Sequence, residues 1–243
     1  DKEIIDTELQ LKDLETVENR LQKEEKRAMT GGDAHAKRLV EVLHLYKEAL
    51  EKGLSARTVV LDELQQEAAR DLQLLTSKPI LYVCNVDEAS VVNGNKYVDA
   101  VREAVKNENA EVLVIGAAIE ADIAELETYE EKQLFLEDLG LKEAGVNKLI
   151  RAAYHLLNLQ TYFTAGPKEV RAWTFRKGTK APQAAGIIHS DFEKGFIRAE
   201  VIKYEDFIRL GSEAKCKEAG KMSVEGKDYV VQDGDMMNFR FNV

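Results

Sequence analysis

Residues Ile80–Glu88 read IleLeuTyrValCysAsnValAspGlu, and this short stretch constrains the fold more than any other part of the chain. An apolar run of that length, stopped by Asn and Asp, is the pattern of a strand buried in a parallel sheet. A second run, Glu111–Ala117, carries Val112, Leu113, Val114 and Ile115 and leads into Gly116-Ala117-Ala118-Ile119-Glu120. Between them lie the turn-forming Asn93-Gly94-Asn95 and a helical pattern from Lys96 to Asn107. Strand, helix, strand at this spacing predicts a right-handed crossover unit. One further helix is expected over residues 121–137.

Ligands of such sheets sit beyond the carboxyl ends of the strands. The first strand closes on Asn85-Val86-Asp87-Glu88. GTPases use Asn-Lys-x-Asp at this point, where the Asp carboxylate accepts two donors from guanine. Here Val86 replaces the Lys and Glu88 takes the fourth place, which points to a nucleotide site of altered base preference. At the second strand end, Gly116, Ala117 and Ala118 are small enough for backbone amides to approach a base. On these residues alone the alternative stays open: a polar turn at one strand end, and a tight entry into a helix at the other.

The first 77 residues read as helical. Ile4, Leu11, Leu14, Val17 and Leu21 recur at spacings of three, four or seven within residues 3–29. Thr30-Gly31-Gly32-Asp33 breaks that pattern, and Asp33 suits the N-cap of the next helix, which carries Leu39, Val42, Leu43, Tyr46 and Leu50. Two such helices joined by a Gly-Gly turn are expected to fold back as an antiparallel coiled-coil hairpin. Arg20, Lys23, Lys26, Arg27, Lys37 and Arg38 gather near its turn, either as a solvated tip or as a probe for a polyanion. A third helix is expected over Thr58–Leu75, stopped by Lys78-Pro79.

From Gln160 onward the texture changes. Gly166-Pro167 is followed by an alternating strand, Val170–Phe175, and by a short helix, Ala181–Ile188. Phe196–Tyr204 predicts a strand with Ile197, Ala199 and Val201 inward and Arg198, Glu200 and Lys203 outward. Residues 205–219 look helical. Tyr229–Gln232 and Met237–Phe241 are expected to pair as a hairpin around Asp233-Gly234-Asp235. Strands around one helix in so short a segment fit an α+β domain of the ubiquitin-like β-grasp type.

The chain has 243 residues and a net charge of −10, unevenly spread. Residues 161–243 hold 14 basic and 12 acidic groups, a balance of +2, against 20 and 32 elsewhere, a balance of −12. An acidic body with a mildly basic C-terminal part permits an RNA partner without requiring one. No apolar run approaches the ~20 residues of a membrane helix. Cys84 and Cys216 are far apart, and His35, His44, His155 and His189 show no ligand spacing. Reduced thiols in a cytoplasmic protein account for this cysteine usage.

Several long strings then carry a resemblance. They are Asn85-Val86-Asp87-Glu88, GAAIEADIAEL from Gly116, LLNLQTYFTAGPKEVRAWTF from Leu156, APQAAGIIHSDFEKGFIRAEVI from Ala181, and EGKDYVVQDGDMMNFRFNV from Glu225. In these the chain resembles the YchF/Obg-like ATPase family of translation-factor-related P-loop proteins, over the later two thirds of that family's pattern. The resemblance implies a multi-domain α/β and α+β protein. Residues 1–77 would be the coiled-coil hairpin with flanking helices, 78–160 the later part of a P-loop nucleotide-binding domain with a parallel sheet, and 161–243 a TGS domain of β-grasp type.

It also implies ATP as ligand, GTP less so, with Mg in the intact protein. Asn85, Val86 and Glu88 would meet one side of the base, and Gly116, Ala117 and Ala118 the other. Glu88 is one methylene longer than Asp and cannot present its carboxylate to guanine in the same geometry. The implied partner is the ribosome or another RNA, with Arg171, Arg176, Lys177, Lys180, Lys194 and Arg198 as RNA contacts and a monomer as the acting form. No membrane partner is implied. Trp173 and Phe175 interleave with these cations, but alternation puts both aromatic rings on one face, as for core. No Gly-x4-Gly-Lys-Ser/Thr string occurs: Gly140 to Gly145 is followed by Val146, and Gly220-Lys221 by Met222. Without that phosphate cradle the chain is expected not to hydrolyse nucleotide, and no catalytic residue can be carried over. The alternative is a non-enzymatic RNA-, ribosome- or protein-binding adaptor.

Overall fold

The structure is a computed structural model that describes residues 1–31, 33–166 and 169–242. Gly32 of the expected turn and Pro167 lie outside the described residues. The chain divides into two units, Asp1–Ile80 and Leu81–Val243.

In the first unit α1 (Lys2–Gly31) and α2 (Ala34–Glu51) run antiparallel. Their direction is fixed by cross-links: Gln10 donates to the Gly53 carbonyl at 3.0 Å, and Lys47 pairs with Glu18 at 2.8 Å. Asp33 caps α2, accepting from the amides of His35 and Ala36. Val17 and Leu21 pack on Leu39, Val42, Leu43, Tyr46 and Leu50. Ile4 and Leu11, expected in the seam, are each 61% exposed. Ile4 lies beyond the end of α2, which reaches only to Gln10, and at Leu11 the inward positions of α1 are held by Gln10, Asp13 and Leu14 instead.

The expected helix over Thr58–Leu75 is much shorter. Ala56–Thr58 is a 3₁₀ turn, and α3 spans only Glu63–Ala69. A capping box between Asp62 and Gln65 fixes its start. Beyond it, buried Asp13 of α1 accepts from the Leu75 amide (2.8 Å), the Thr76 amide (2.7 Å) and the Thr76 hydroxyl (2.7 Å). Those amides are drawn out of helical pairing, while Leu72 and Leu74 still reach the core from irregular backbone.

In the second unit β1 (Leu81–Asn85) and β2 (Glu111–Ile115) pair in parallel, with Leu81 opposite Glu111 and Asn85 opposite Ile115. The crossover helix α4 (Lys96–Val105) is capped by Asn95 and buries Val98 and Val105. The stretch expected as one helix over 121–137 is two, α5 (Ala117–Glu125) and α6 (Tyr129–Asp138). Thr128 and Glu131 form a capping box that starts α6 afresh. Ile119, Ile123, Leu136, Leu141 and Ala144 close over Val91 as one apolar cluster. Helix α7 (Gly145–Leu156) follows.

The rest of this unit is a five-stranded mixed sheet in the order β4-β3-β7-β5-β6. Its strands are β3 (Leu159–Ala165), β4 (Val170–Arg176), β5 (Phe196–Lys203), β6 (Met222–Glu225) and β7 (Asp235–Phe241). Helices α8 (Ala181–Ile188) and α9 (Ser190–Lys194) separate β4 from β5. Tyr162, Phe175, Phe196, Ala199, Val201, Met237 and Phe239 bury against Ala181, Ala184 and Ala185 of α8, and Trp173 packs partly into the same core.

Three expectations fail here. Ile197 is 54% exposed and Phe196 is buried in its stead, because the β5/β7 register shifts between Phe196 and Arg198; an irregularity of this kind turns a strand's faces over. The helix over 205–219 breaks into α10 (Tyr204–Leu210) and α11 (Glu213–Glu218) at Gly211, whose φ of 80° ends one helix before Ser212 caps the next. The hairpin of 229–232 with 237–241 does not form. Strand β7 pairs instead with β3 and β5, and Val230 bridges only to Lys180. Buried Asp235 holds the intervening loop by accepting from the Tyr229 hydroxyl, the Gln232 amide and Lys203.

Candidate nucleotide-base site

The carboxyl ends of β1 and β2 lie side by side, since Asn85 is the register partner of Ile115. The Asn85 Oδ1 accepts the Ala117 amide at 2.9 Å, and the Val86 amide donates to the Ile115 carbonyl at 2.9 Å. The two loops singled out from sequence are therefore joined directly. Asp87 caps the 3₁₀ turn Glu88–Ser90 by accepting from the Ser90 amide, and Glu88, first in that turn, is exposed. Gly116 is the buried N-cap of α5, and Ala117 and Ala118 of its first turn are exposed. A Cβ at Gly116 would stand 3.0 Å from the Ile119 side chain, so the residue is small because α5 turns back on it.

A second anchor holds this loop, and sequence reasoning missed it. The Glu120 carboxylate accepts from the amides of Gly145 (2.6 Å) and Val146 (3.0 Å) at the start of α7. Those amides have no intrahelical acceptor, and Ala144 offers no side-chain cap. Gly145 leaves room for the contact: a Cβ there would lie 2.8 Å from the Glu120 carboxylate and 3.1 Å from Ile115. The only hint in the sequence is a glycine at a helix start.

The joined strand ends carry several polar groups. Two amides are occupied, those of Val86 and Ala117. Among the described residues, the Asn85 Nδ2, the Ala118 amide of an unpaired first turn and the Glu88 carboxylate have no hydrogen-bond partner. Together they offer donors and an acceptor around exposed alanine methyls.

The cations named from sequence lie on β4 and the turn after it, on α9 and on β5. Arg171 lies over the Trp173 ring at 4.2 Å and near Glu169 at 3.8 Å. Lys180 pairs with Asp228 at 2.7 Å. Arg176, Lys177, Lys194 and Arg198 are exposed. In the first unit Arg20 and Arg27 pair with Glu24, and Arg27 also with Asp33, which neutralises part of the basic tip.

The parallel crossover with joined strand-end loops, followed by the mixed sheet, defines a mixed α/β protein. Residues 159–242 match the family YchF-GTPase_C, described as "Protein of unknown function (DUF933)". Over 245 residues the chain is 56% identical to "Ribosome-binding ATPase YchF" of Bacillus subtilis (strain 168), covering 100% of this chain and 66% of that protein. It is 43% identical to "Obg-like ATPase 1" of Gallus gallus, covering 62% of that protein. The solved YchF GTPase of Schizosaccharomyces pombe is similar at a TM-score of 0.87 and 33% identity, over 99% of this chain and 65% of that one. The chain belongs to the YchF/Obg-like ATPase family. It spans 66% of the length of the Bacillus subtilis relative.

Proposed function

We propose that this chain carries the base-recognition part of a nucleotide site within a ribosome-associated ATPase of the YchF type, acting in the cytoplasm as a monomer. The observation that carries the reading is the 2.9 Å bond from the Ala117 amide to Asn85 Oδ1, which joins the two loops into one rim. Residues 1–77 serve as a coiled-coil hairpin, 78–160 as the later part of a P-loop domain, and 161–243 as a TGS domain of β-grasp type. The names of the relatives support ribosome binding and nucleotide hydrolysis for those proteins.

Around the rim, Asn85, Val86 and Glu88 face one side of the base, and Gly116, Ala117 and Ala118 the other. ATP is favoured over GTP because Glu88 cannot place its carboxylate where an Asp would meet guanine. Mg would enter with the phosphates. The 243 residues contain no Gly-x4-Gly-Lys-Ser/Thr string, so they do not hydrolyse nucleotide by themselves. The same observation favours a second reading, an adaptor that binds RNA or protein without catalysis.

The test is an amide NMR titration of this chain with adenosine, ATP and GTP. Adenosine and ATP should shift the amides of Val86, Ala117 and Ala118 with millimolar affinity, and GTP less. If millimolar adenosine leaves them unmoved, the base site is refuted and the adaptor reading gains. Micromolar ATP binding by this chain would refute the need for a separate phosphate cradle.

A further inference from the structure

The five-stranded sheet ends on one side in β4, and among the described residues no strand pairs with the outer edge of β4. Its inner edge is paired with β3 over Val170–Arg176 without a bulge. Two bonds at the ends of this ladder fix which backbone groups face inward. The Gly166 amide donates to the Glu169 carbonyl at 2.9 Å, and the Lys177 amide to the Asn158 carbonyl at 2.7 Å. Bonded pairs alternate along an antiparallel ladder. Arg171, Trp173 and Phe175 therefore bond to β3, while Val170, Ala172 and Thr174 turn their amides and carbonyls outward. Among the described residues those outward groups have no partner, and all three residues are exposed. The Tyr154 hydroxyl of α7 meets the Thr174 side chain at 3.1 Å, which leaves the Thr174 backbone open.

An open edge of this kind is a template for another strand, and sheets guard against it with short edge strands, bulges, prolines or charges. Strand β4 has only the last of these. Arg171 and Arg176 stand on either side of the uncharged Ala172-Trp173-Thr174-Phe175, and Lys177 follows. Arg171 lies over the Trp173 ring at 4.2 Å and is offset only by exposed Glu169 at 3.8 Å. Arg176 and Lys177 are exposed and have no ion pair among the described residues. Pairing two copies of this edge would set three cations and one carboxylate against the same group, a net repulsion. The guard thus works against a second copy and leaves the edge open to a strand of opposite charge. The other edge of the sheet, β6, is four residues long, none of them cationic.

We infer that the outer edge of β4 takes up an extended peptide of a partner protein as a further strand, one with an uncharged middle matching Ala172–Phe175 and acidic side chains at both ends. Main-chain bonds to Val170, Ala172 and Thr174 supply the affinity, as in strand addition generally. Carboxylates beside Arg171 at one end and beside Arg176 and Lys177 at the other supply the selection. The two arginines are five residues apart, roughly 17 Å at the usual strand rise. An RNA strand would meet the same cations, but it has no row of amides and carbonyls to complete the ladder. This contact is independent of the base site and survives if that site is refuted.

Trp173 is the only tryptophan of the chain and stands in β4, so its fluorescence reads docking directly. The full chain is titrated with the peptide Glu-Asp-Val-Thr-Val-Ile-Asp-Glu, with amide hydrogen exchange followed by NMR. Without peptide, the amides of Ala172 and Thr174 should exchange freely while those of Arg171 and Trp173 are protected. Peptide should shift the Trp173 emission and slow exchange at Ala172 and Thr174 about tenfold. Ala172→Pro removes an outward amide at a place where edge strands accept proline, and should abolish both responses. Should that variant unfold, two peptides N-methylated at alternate residues make the same test: one should lose binding and the other keep it. Arg176→Gln should weaken binding about threefold, and exchanging the acidic ends of the peptide for lysines should remove it. Any of five results overturns the inference: protection of Ala172 and Thr174 before peptide is added; no response to millimolar peptide; equal binding by both N-methylated peptides; the same protection from a uridine oligonucleotide; or a dimer in sedimentation that Ala172→Pro dissolves, which would make a second copy the occupant.

Discussion

Replacing Glu120 by Ala removes the anchor between the proposed base loop and α7. Its carboxylate accepts two amides at the start of that helix, from Gly145 at 2.6 Å and Val146 at 3.0 Å. Hydrogen bonds to a charged group contribute about 1.5–3 kcal/mol each when well sheltered, and a lost helix cap costs about 0.5–2 kcal/mol. Gly145 is buried and Val146 exposed, so the first bond is assigned about 1.5 kcal/mol and the second about 0.5 kcal/mol. The sum, about 2 kcal/mol, is roughly a thirtyfold change in an opening equilibrium. Amide hydrogen exchange reads it locally: Leu149 and Ile150 of α7 and Ile123 of α5 should lose protection by about that factor. Glu120→Gln keeps one acceptor and should recover about half the free energy. The adenosine shifts at Ala117 and Ala118 should weaken in parallel. A change under about 0.5 kcal/mol, with protection intact in all three residues, would refute the claim that this carboxylate positions the loop.

Other consequences are equally direct. Asp13→Ala leaves the Leu75 and Thr76 amides without their acceptor inside the first unit, and urea unfolding followed by circular dichroism should report a loss of about 3 kcal/mol. Gly195→Ala would push a methyl into the Asn242 carbonyl, which is backbone and cannot step aside, so the melting temperature should fall by several degrees, while Gly53→Ala, free of contacts but at a φ of 70°, should lose less. Burial first, and then the bond to Asp235, push the Tyr229 phenol up to about 12 from an ordinary value of 10.0. Because the folded state favours the neutral phenol, its stabilisation is complete below pH 10 and is lost as pH rises towards about 12; Tyr229→Phe should flatten that part of a stability–pH profile, and an unchanged slope would contradict it.

What the sequence made legible was local. The parallel crossover was readable because Val112–Ile115 and the Ile80–Cys84 run are short and apolar with turn residues at both ends. Asp33 was readable as a cap because the amides that donate to it lie two and three residues on. What escaped depends on partners distant along the chain. Asp13 reaches across sixty-two residues to Leu75 and redirects a stretch whose leucines had helical spacing. The register shift leaves Ile197 as an extra residue of β5 opposite β7, and it shows only once the two strands are paired. Asp233-Gly234-Asp235 is a turn, as its composition says, but Asp235 is spent on Tyr229, Gln232 and Lys203, and β7 finds its partners in β3 and β5. Strand β3 was not anticipated at all, although Tyr162 in it is fully buried.

The same limit bears on the base site. From sequence, both loops were assigned to a purine as if each amide were available to it. In the fold two of those groups are used on each other's loop: the Val86 amide on the Ile115 carbonyl and the Ala117 amide on Asn85 Oδ1. Under the proposed function, recognition rests on what remains, the Asn85 Nδ2, the Ala118 amide and Glu88, while the occupied pair joins the two loops. Asn85 acquires two separable roles. Asn85→Asp keeps an acceptor for the Ala117 amide but removes the Nδ2 donor, so it should preserve the rim and weaken base contact. Asn85→Ala removes both, and should loosen the rim as well. If the two variants shift the Ala118 amide and bind adenosine alike, the division of labour within this side chain is wrong.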